Sequence, residues 1–418
     1  MKLDMHSIRH IFISACTVFV LAAIGLSPSA NAEEIKIGIM APLTGPNASD
    51  GEEFVRGAKW AIEEANAKGG IAGFTFDLVV ADVKDHSAAN VASAAERLIG
   101  TDNVQLIVTG YASFTMFEVD LMAEADMPYL AAGPSPGFAA IVSKSPEDYW
   151  CCWSYTADYK GYETDVLPAI EDFAKQGIIK IKNKKVAIIS SDNAYSKTIS
   201  EGMKKVFTDA GWEITVDELV PFGPVSDWRA SLAKVRQDPP DLVINTDYIP
   251  GNAALFIKQF LEKPTDSVVF LQYAPAVPEF VKLTGDKSTG VLYNLIGGAL
   301  DTPKWPRGPE LLKQYKDKYG VDSGPYGVGL YEMMQMYFAA LEKVGDAHDH
   351  EAIGKALGET KAESVAGNIE FDPKTHVALQ RDDRVPVSFW QIWDGQRLLV
   401  GPEGYANAKF RRPPWMSK

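Results

Sequence analysis

Short β-rich runs alternate with amphipathic helical segments through most of this sequence, and that alternation constrains the fold more than any other feature. The run IKIGIM (Ile35–Met40) predicts a strand, and the apolar residues after it recur at three- and four-residue spacing until Gly69-Gly70. Further β-rich runs are VQLIVTG, KKVAIIS, DLVINT and SVVFLQ. Because strands that alternate with helices form parallel sheets through right-handed crossovers, the pattern predicts an α/β fold.

The alternation is interrupted at Trp150–Tyr159, where WCCWSYTADY places four aromatic rings and two adjacent cysteines in ten residues. Strand runs resume only after Lys182, so we expect two doubly wound lobes rather than one wide sheet. The last third differs again. It contains predicted helices at Pro309–Tyr319 and Tyr326–Val344, and it ends with a hairpin that turns at Asp394-Gly395.

The first 32 residues have the order of a secretory signal peptide. Lys2 and Arg9 precede an apolar segment from Ile11 to Leu26, and the small-residue triplet Ala30-Asn31-Ala32 follows it. A membrane anchor is the alternative, but the apolar run is short for a span and is followed by a cleavage triplet. We therefore expect a mature chain that begins at Glu33 and resides in the periplasm.

Charge and cysteine content narrow the range of partners. The formal net charge of −14 argues against nucleic acid or an anionic membrane surface as a partner. Cys151 and Cys152 either close a strained vicinal disulfide or stay reduced, and we favour free, half-buried thiols. The segment His348–Glu351 is interpreted as a solvated helix start, so no metal site and no cofactor are predicted.

The motifs of common enzymes are mostly missing from the sequence. It has no Walker loop, and no G-x-G-x-x-G follows the first strand. The segment Gly133–Gly137 (GPSPG) satisfies G-x-S-x-G, in which the residue after the serine donates its backbone N–H to the oxyanion hole. Here that residue is Pro136, which has no N–H, so we reject a hydrolase and expect a binding protein that is not an enzyme.

Candidate ligand-binding residues follow successive strands, where parallel sheets place their ligands. In the first half these are hydroxyl and carboxyl groups near predicted helix starts or in loops, with one neighbouring glycine: Asp50, Ser113, Thr115, Gly133 and Ser135. In the second half they are aromatic: Tyr195, Tyr248 and Tyr273. Capping explains any one serine, and a core position explains any one tyrosine, but the repetition at strand ends favours a cleft with polar edges and an apolar wall.

These segments resemble the leucine/isoleucine/valine type of periplasmic solute-binding proteins, which serve ATP-driven importers. The resemblance covers essentially the whole mature chain and is carried by IKIGIMAPLTGPNASDGEEFVRGAKWAIEEANAKGGIAG, VTGYASFTM, MPYLAAGPSP and ISSDNAYS. It implies a type I (Venus-flytrap) fold, in which two doubly wound α/β lobes are joined by three hinge crossovers and close on a small ligand. The implied first lobe is 33–156 plus 297–380, and the second is 157–296 plus 381–418.

The resemblance also implies roles for individual residues. A carboxylate-holding hydroxyl pair falls on Ser113 or Thr115 and on Ser135. Cleft tyrosines fall on Tyr195 and Tyr248, and an apolar contact falls on Tyr326. The amino-acid binders carry an acid for the ligand ammonium where this chain has Tyr273-Ala274. Either Asp50 or Asp247 therefore holds an ammonium, or the ligand has none.

The aromatic stretch would then lie where the chain first crosses between lobes, and Trp153 and Tyr155 are expected to stack on the ligand. The alternative is that these rings only pack the hinge, and for Trp150 and Tyr159 both interpretations stay open. We expect a hydrophobic or aromatic carboxylate, with an amino acid as the alternative. The implied partners are the permease subunits of an ABC importer in the inner membrane, and the protein itself is expected to be a monomer. A sensory ligand-binding domain is a further alternative, but a membrane segment would be expected to follow it, and none precedes Lys418.

Overall fold

Apolar strands, of which the central ones are buried on both faces, form the first of two large sheets. The computed structural model describes residues 32–133 and 135–417. The strands of the first sheet are β1 (Glu33–Ala41), β2 (Phe74–Asp82), β3 (Leu106–Thr109), β4 (Tyr129–Ala131) and β5 (Cys152–Ser154). They are parallel throughout and lie in the order β2-β1-β3-β4-β5. Every residue of β1 from Ile37 to Ala41 is buried, as expected for a central strand that is covered by helices on both sides.

Four helices connect these strands. They are α1 (Ala48–Ala67), α2 (Ala88–Gly100), α3 (Glu118–Glu124) and α4 (Pro136–Val142). Helix α3 begins five residues later than its predicted start at Ser113. The chain first makes a tight turn, in which Met116 adopts a left-handed φ of 58° and donates its N–H to Ser113 Oγ (2.9 Å). Ser113 is therefore a loop residue rather than a helical one.

The second sheet repeats the same construction. Its parallel strands are β6 (Lys185–Ser191), β7 (Glu213–Val220), β8 (Leu242–Asn245), β9 (Val268–Leu271) and β10 (Leu292–Ile296). The helices around it are α5 (Lys160–Thr164), α6 (Val166–Lys175), α7 (Ala194–Asp209), α8 (Arg229–Gln237), α9 (Pro250–Phe260) and α10 (Pro278–Thr284). Helices α5 and α6 were not predicted. Helix α5 has only five residues, whereas the buried apolar residues at 166, 167, 170 and 173 of α6 are a helical signal that sequence reasoning missed.

The chain then returns to the first sheet. This part contains α11 (Arg307–Tyr319), α12 (Gly327–Val344), α13 (His350–Gly358) and the antiparallel pair β11 (Lys361–Ser364) and β12 (Gly367–Glu370). Helix α12 packs directly on α1. Trp60 and Tyr331 have ring centroids 4.1 Å apart, and a Cβ on Gly57 would lie 2.2 Å from the carbonyl oxygen of Gly327. Only glycine permits this approach of the two backbones.

The last two strands return to the second sheet. Strands β13 (Val387–Trp393) and β14 (Gln396–Gly401) form the predicted hairpin, and β13 pairs antiparallel with β10. Asp394 and Gly395 have φ angles of 50° and 74°, as a two-residue hairpin turn with both central residues at positive φ requires. The full order of the second sheet is β14-β13-β10-β9-β8-β6-β7.

The chain passes between the two sheets three times: between β5 and α5, between β10 and α11, and between β12 and β13. The predicted fold of two α/β lobes joined by three crossovers is confirmed. We call the part built on the first sheet the first lobe and the part built on the second sheet the second lobe. No helix in the described residues is both long and apolar enough to cross a bilayer. The predicted signal peptide lies outside those residues, except for Ala32.

Candidate functional site

A cavity lies where the carboxyl ends of strands from both lobes face one another. Its empty volume is about 470 Å³, including its opening to solvent. The lining comes from the loops after β3, β4, β6, β8 and β9, with three further tyrosines from the interlobe crossover, α5 and the start of α12. The lining residues are Tyr111, Ser113, Phe114, Met116, Gly133, Tyr159, Tyr162, Tyr195, Tyr248, Tyr273 and Tyr326. Eight of the eleven are aromatic, so the cavity wall is largely apolar.

Six of these rings form a closed circuit, which we call the aromatic belt. In order around the circuit they are Tyr111, Phe114, Tyr248, Tyr195, Tyr273 and Tyr326. Successive ring centroids are 6.2, 6.0, 5.4, 6.5, 6.4 and 5.7 Å apart, the last distance closing the circuit. Most of these pairs are tilted or edge-on, the arrangements that aromatic quadrupoles favour. Three rings come from each lobe, so the belt is complete only when the lobes meet.

Tyr159 and Tyr162 form a second row beside the belt. Their ring centroids lie 5.0 and 6.3 Å from that of Tyr195. The hydroxyl oxygen of Tyr162 accepts a hydrogen bond from the N–H of Ile296 (2.9 Å), and the hydroxyl oxygen of Tyr195 accepts one from Gln272 Nε2 (3.2 Å). The hydrogen of each hydroxyl therefore remains available to a ligand, as no described residue accepts it.

Asp50 lies immediately behind the belt, in the first turn of α1. Its Oδ2 accepts hydrogen bonds from the hydroxyls of Tyr111 and Tyr273, both at 2.7 Å, and Tyr273 belongs to the other lobe. The side chain is almost completely buried, and that burial raises its pKa to about 6; the two tyrosine hydrogen bonds lower the pKa, and the charge of Glu279 raises it further. Among the described residues, no basic side chain forms an ion pair with Asp50.

Glu53 positions the belt residue Tyr326. One turn after Asp50 on α1, its carboxylate accepts the backbone N–H groups of Gly324, Tyr326 (3.0 Å) and Gly327 (3.1 Å). These donors are at the start of α12, where a negative charge is favourable. Burial nevertheless dominates and raises the pKa of Glu53 to about 7. Glu53 thus fixes α12, and the tyrosine at its start, against α1.

Ser113 is already engaged within its own loop. Its hydroxyl donates to Oε2 of Glu118, its backbone N–H donates to Oε1 of the same carboxylate (3.2 Å), and its oxygen accepts from Met116. Glu118 is buried, which raises its pKa. A ligand carboxylate at Ser113 would therefore have to replace the bond from Ser113 to Glu118.

The family can be decided from the sequence match. The model of the family described as "Periplasmic binding protein" matches residues 34–383. The chain belongs to this family. The predicted resemblance is confirmed, and the paired lobes with a cavity between their strand ends are the corresponding architecture.

Several relatives match this periplasmic binding protein over most of its length. A Leu/Ile/Val-binding protein homolog of Brucella abortus is 25% identical over 404 residues, with 94% of this chain and 98% of the relative covered. The leucine-, isoleucine-, valine-, threonine- and alanine-binding protein of Pseudomonas aeruginosa is 26% identical, with 83% and 88% covered. Among solved structures, a branched-chain amino acid ABC transporter protein from Silicibacter pomeroyi is 32% identical, with a TM-score of 0.82 and with 92% of this chain and 100% of that chain covered.

Most of the predicted site residues of this periplasmic binding protein lie around one cavity. Those that line it are Ser113, Gly133, Tyr195, Tyr248, Tyr273 and Tyr326, and Asp50 lies directly behind two of the lining tyrosines. Ser135 is buried next to the lining residue Gly133, but its hydroxyl oxygen caps α4 by accepting the N–H of Gly137 (3.1 Å). Thr115 is exposed and does not line the cavity. The structure thus brings Ser113, but not Thr115, to the site.

Trp153 and Tyr155 are placed in the core of the first lobe rather than in the cavity lining. Trp153 stacks on His376 with ring centroids 3.9 Å apart, and its Nε1 donates to the carbonyl of Gly354 (2.9 Å). The hydroxyl of Tyr155 donates to Ser364 Oγ (2.9 Å). These contacts hold the aromatic stretch against the end of α13 and against β11. Only its last ring, Tyr159, reaches the cavity.

The two cysteines are completely buried, not half-buried as expected. Both have 0% exposure and are free, with their sulfur atoms 2.7 Å apart. Cys152 lies beneath α3, with its sulfur 3.9 Å from the carbonyl oxygen of Val119. Burial raises the pKa of the Cys152 thiol well above its usual range.

Asp247, one of the two acids considered for a ligand ammonium, accepts hydrogen bonds from its own loop and from α9. Its Oδ1 accepts the N–H of Ile249 (3.0 Å) and its Oδ2 accepts from Asn252 Nδ2 (2.8 Å), at the start of α9. Asp247 does not line the cavity. Asp50, by contrast, contacts two lining side chains.

Sequence reasoning missed four lining residues, Tyr111, Phe114, Met116 and Tyr162, and left Tyr159 open between a ligand contact and hinge packing. A signal for two of them was present. Tyr111 and Phe114 lie in GYASFTM, a segment chosen for its hydroxyl groups, and they follow β3 just as the predicted tyrosines follow strands of the second lobe. Applying the same aromatic criterion to both halves of the sequence would have found them. Tyr162 is inside α5, where no such pattern points to it.

Proposed function

We propose that this protein is the extracytoplasmic solute-binding component of an ABC importer and captures a small hydrophobic or aromatic carboxylate by closure of its two lobes. The observation that carries the proposal is the aromatic belt, which takes three rings from each lobe. The relatives named above support the import role, since they are described as Leu/Ile/Val-binding proteins or as belonging to an ABC transporter.

Closure provides the mechanism of capture. A ligand within the belt contacts both lobes only when they are together, so its binding energy shifts an equilibrium between open and closed forms. Hydrogen bonds between lobes support the closed form, and two of them are made by side chains of α1. One joins Tyr273 to Asp50, and the other runs from Ser49 Oγ to Glu279 Oε2 (2.6 Å). Each ring that packs on the ligand adds about 1 kcal/mol beyond the burial of area.

Tyrosine hydroxyls are the donors we assign to the ligand carboxylate. Tyr162 and Tyr195 line the cavity, and the hydroxyl oxygen of each already accepts a hydrogen bond, which directs its hydrogen elsewhere. The hydroxyl of Tyr248 has no partner among the described residues. Ser113, which was predicted for this role, can also donate to the ligand carboxylate if its hydroxyl breaks the hydrogen bond to Glu118.

An amino acid is the second candidate ligand. Its support is the set of relatives, which includes a branched-chain amino acid binding protein of Streptococcus pneumoniae solved in complex with isoleucine, at 21% identity and a TM-score of 0.71. Asp50 would then face the ligand ammonium in place of the acid that this chain lacks at Tyr273-Ala274.

A thermal-shift screen separates the two ligand classes. The purified protein is unfolded and refolded to remove any co-purified ligand, and it is then heated with benzoate, phenylacetate, 3-phenylpropanoate, leucine or phenylalanine. We expect the three acids to raise the Tm, since a ligand at 100 times its Kd stabilises a protein by about 2.7 kcal/mol. Stabilisation by leucine or phenylalanine without stabilisation by the acids would overturn the carboxylate assignment in favour of the amino acid.

A pair of tyrosine variants tests the donor role. Tyr195→Phe should weaken binding of the best acid about tenfold or more, because a hydrogen bond to a charged group contributes about 1.5–3 kcal/mol. Tyr149→Phe is the matched control, since its hydroxyl bonds to Asp120 far from the cavity lining (2.7 Å). Equal affinities in the two variants, measured by isothermal titration calorimetry, would exclude Tyr195 as a donor.

A further inference from the structure

We propose that the Asp50 side of the cavity is a binding site for an organic cation, specifically a methylated ammonium group, so that the captured carboxylate also carries such a group. The inference rests on the proposed function, which supplies the carboxylate and the closing lobes. It names the chemistry of the remaining part of the ligand.

The first argument is an uncompensated negative charge. Asp50 is 4% exposed, yet its hydrogen-bond partners are two neutral hydroxyls, and no basic side chain in the described chain forms an ion pair with it. Its charged neighbours Glu53 and Glu279 are themselves acids. A buried carboxylate is normally paired with a cation. A cation that arrives with the ligand would supply the missing charge.

The second argument is the arrangement of rings around that charge. The faces of tyrosine and phenylalanine rings attract cations, and aromatic cages are the usual receptors for quaternary ammonium groups. Tyr111 and Tyr273 both donate their hydroxyl hydrogens to Asp50, which makes their rings richer in electrons. Tyr326 lies between them in the belt, 5.7 and 6.4 Å from their ring centroids. The lining contains no lysine, arginine or histidine that would repel a cation.

The third argument distinguishes a methylated ammonium from a primary one. A primary ammonium has three N–H donors that need acceptors. The carboxylate of Asp50 does not itself line the cavity, and the hydroxyl oxygen of Ser113 already accepts the N–H of Met116. The remaining side-chain acceptors of the lining are neutral phenol oxygens, which are weaker acceptors than a carboxylate. A trimethylammonium group has no hydrogen to donate, and its methyl groups pack on ring faces. The belt therefore fits the methylated form better.

The cavity then has two chemically different sides. On one side, the hydroxyls of Tyr111 and Tyr273 donate their hydrogens to Asp50, and the faces of these electron-rich rings are available to a cation. On the other, Tyr162 and Tyr195 accept hydrogen bonds from Ile296 and Gln272 and have hydrogens to donate to a carboxylate. A small zwitterion with a methylated ammonium group matches this polarity.

An isosteric pair of probes tests the charge alone. Glycine betaine and 3,3-dimethylbutanoate have the same shape and the same carboxylate, and they differ by a quaternary nitrogen in place of a quaternary carbon. Isothermal titration calorimetry on the refolded full-length mature protein at low salt compares their Kd values. We expect glycine betaine to bind at least tenfold more tightly. Equal or weaker binding of betaine overturns the inference.

Variants locate the effect at Asp50. Asp50→Asn keeps an oxygen that accepts from both tyrosines but removes the charge, so it should weaken betaine binding at least tenfold and change binding of 3,3-dimethylbutanoate less than threefold. Asp247→Asn is the matched control, because Asp247 is a buried acid that does not line the cavity. Tyr111→Phe provides a second variant if Asp50→Asn does not fold: it removes a donor to Asp50 within the first lobe, leaves the interlobe bond from Tyr273 in place, and should also weaken betaine selectively.

The outcomes separate this inference from the proposed function. If 3,3-dimethylbutanoate or an aromatic acid binds and betaine does not, the carboxylate assignment stands and the cation site is rejected. If only primary amino acids bind, both are rejected. If betaine binds tightly but equally well to Asp50→Asn, the assignment to Asp50 is rejected.

Discussion

At the scale of single residues, Asp50 shows how burial sets the behaviour of a carboxyl group. Its pKa of about 6 is above the ordinary value because burial disfavours the charged form more than two tyrosine hydroxyls favour it. A raised folded-state pKa means that, between about pH 4 and pH 6, the folded protein binds more protons at this site than the unfolded chain does. The contribution of Asp50 to stability therefore decreases as pH rises through that window.

Asp50→Asn should remove this pH dependence. Well below pH 4 the acid is protonated in both states and resembles the amide, so the advantage of the variant in free energy of unfolding should be smallest there. That advantage should grow by about 2 kcal/mol between pH 4.5 and pH 7.5, because the ionised wild-type side chain is penalised in the folded protein. Chemical denaturation without ligand at both pH values measures this. A difference that does not change with pH would contradict the raised pKa.

The sequence alone predicted that Asp50 lies near a helix start, but not what it contacts. Its partners Tyr111 and Tyr273 are 61 and 223 residues away. The pairing with Tyr273 depends on how the lobes meet, and the pairing with Tyr111 depends on how α1 packs beside the loop after β3; no periodicity in one sequence encodes either. Tyr195, Tyr248 and Tyr273 were predictable because each follows a recognisable strand, and the carboxyl ends of parallel strands share one edge of a sheet.

At the scale of elements, one side chain of α1 fixes the start of α12. Glu53 accepts three backbone N–H groups at the start of α12. Those donors have no partner within their own helix, so without Glu53 they would be left buried and unsatisfied. The position of Tyr326 in the belt therefore depends on α1.

Removal of this carboxylate should destabilise the protein. Glu53→Ala is expected to lower the free energy of unfolding by about 3 kcal/mol, because buried donors lose their acceptor. Glu53→Gln should lose less, since its amide oxygen still accepts. Glu52→Ala is the matched control: its side chain is 57% exposed and pairs with Arg56 on the surface, so it should change stability by less than about 0.5 kcal/mol. Urea denaturation distinguishes the three variants, and equal losses at both positions would contradict the capping role.

Strand β5 carries both cysteines, and its burial predicts their reactivity. In the native protein neither thiol should react with a thiol reagent such as DTNB, because both are fully buried and burial raises the pKa of Cys152. In guanidinium chloride, the mature chain should release two equivalents of thiol. Release of none after unfolding would show a disulfide between Cys151 and Cys152 instead.

Elements with strong periodicity were located well from the sequence. Helices α11 and α12 begin within two residues of their predicted starts and end where predicted, and the final hairpin turns at the predicted residues. Strand β5 and helix α5 were missed because both are short and lie in or beside an aromatic stretch with no period. There, contacts with α13 and the second lobe decide the structure rather than local pattern.

At the scale of the whole molecule, the two interlobe hydrogen bonds made by Ser49 and Asp50 of α1 bias the protein toward closure. The combined variant Ser49→Ala/Tyr273→Phe removes both and should increase the open population about tenfold or more without ligand, since each bond contributes about 1 kcal/mol. A larger radius of gyration in small-angle X-ray scattering is the expected result. Ser145→Ala/Tyr149→Phe, whose hydroxyls bond within the first lobe, is the control. An unchanged radius would mean that these bonds do not influence closure.

The aromatic belt also has a kinetic consequence. The circuit of six rings passes from one lobe to the other at two places, from Phe114 to Tyr248 and from Tyr273 to Tyr326. Separation of the lobes therefore breaks both of these contacts together. A molecule enclosed by the belt leaves when that rupture occurs. The residence time of the ligand is then set by the rate at which the lobes open. Ligands that differ in affinity but share the same closed form should therefore differ mainly in the rate at which both ring contacts break together.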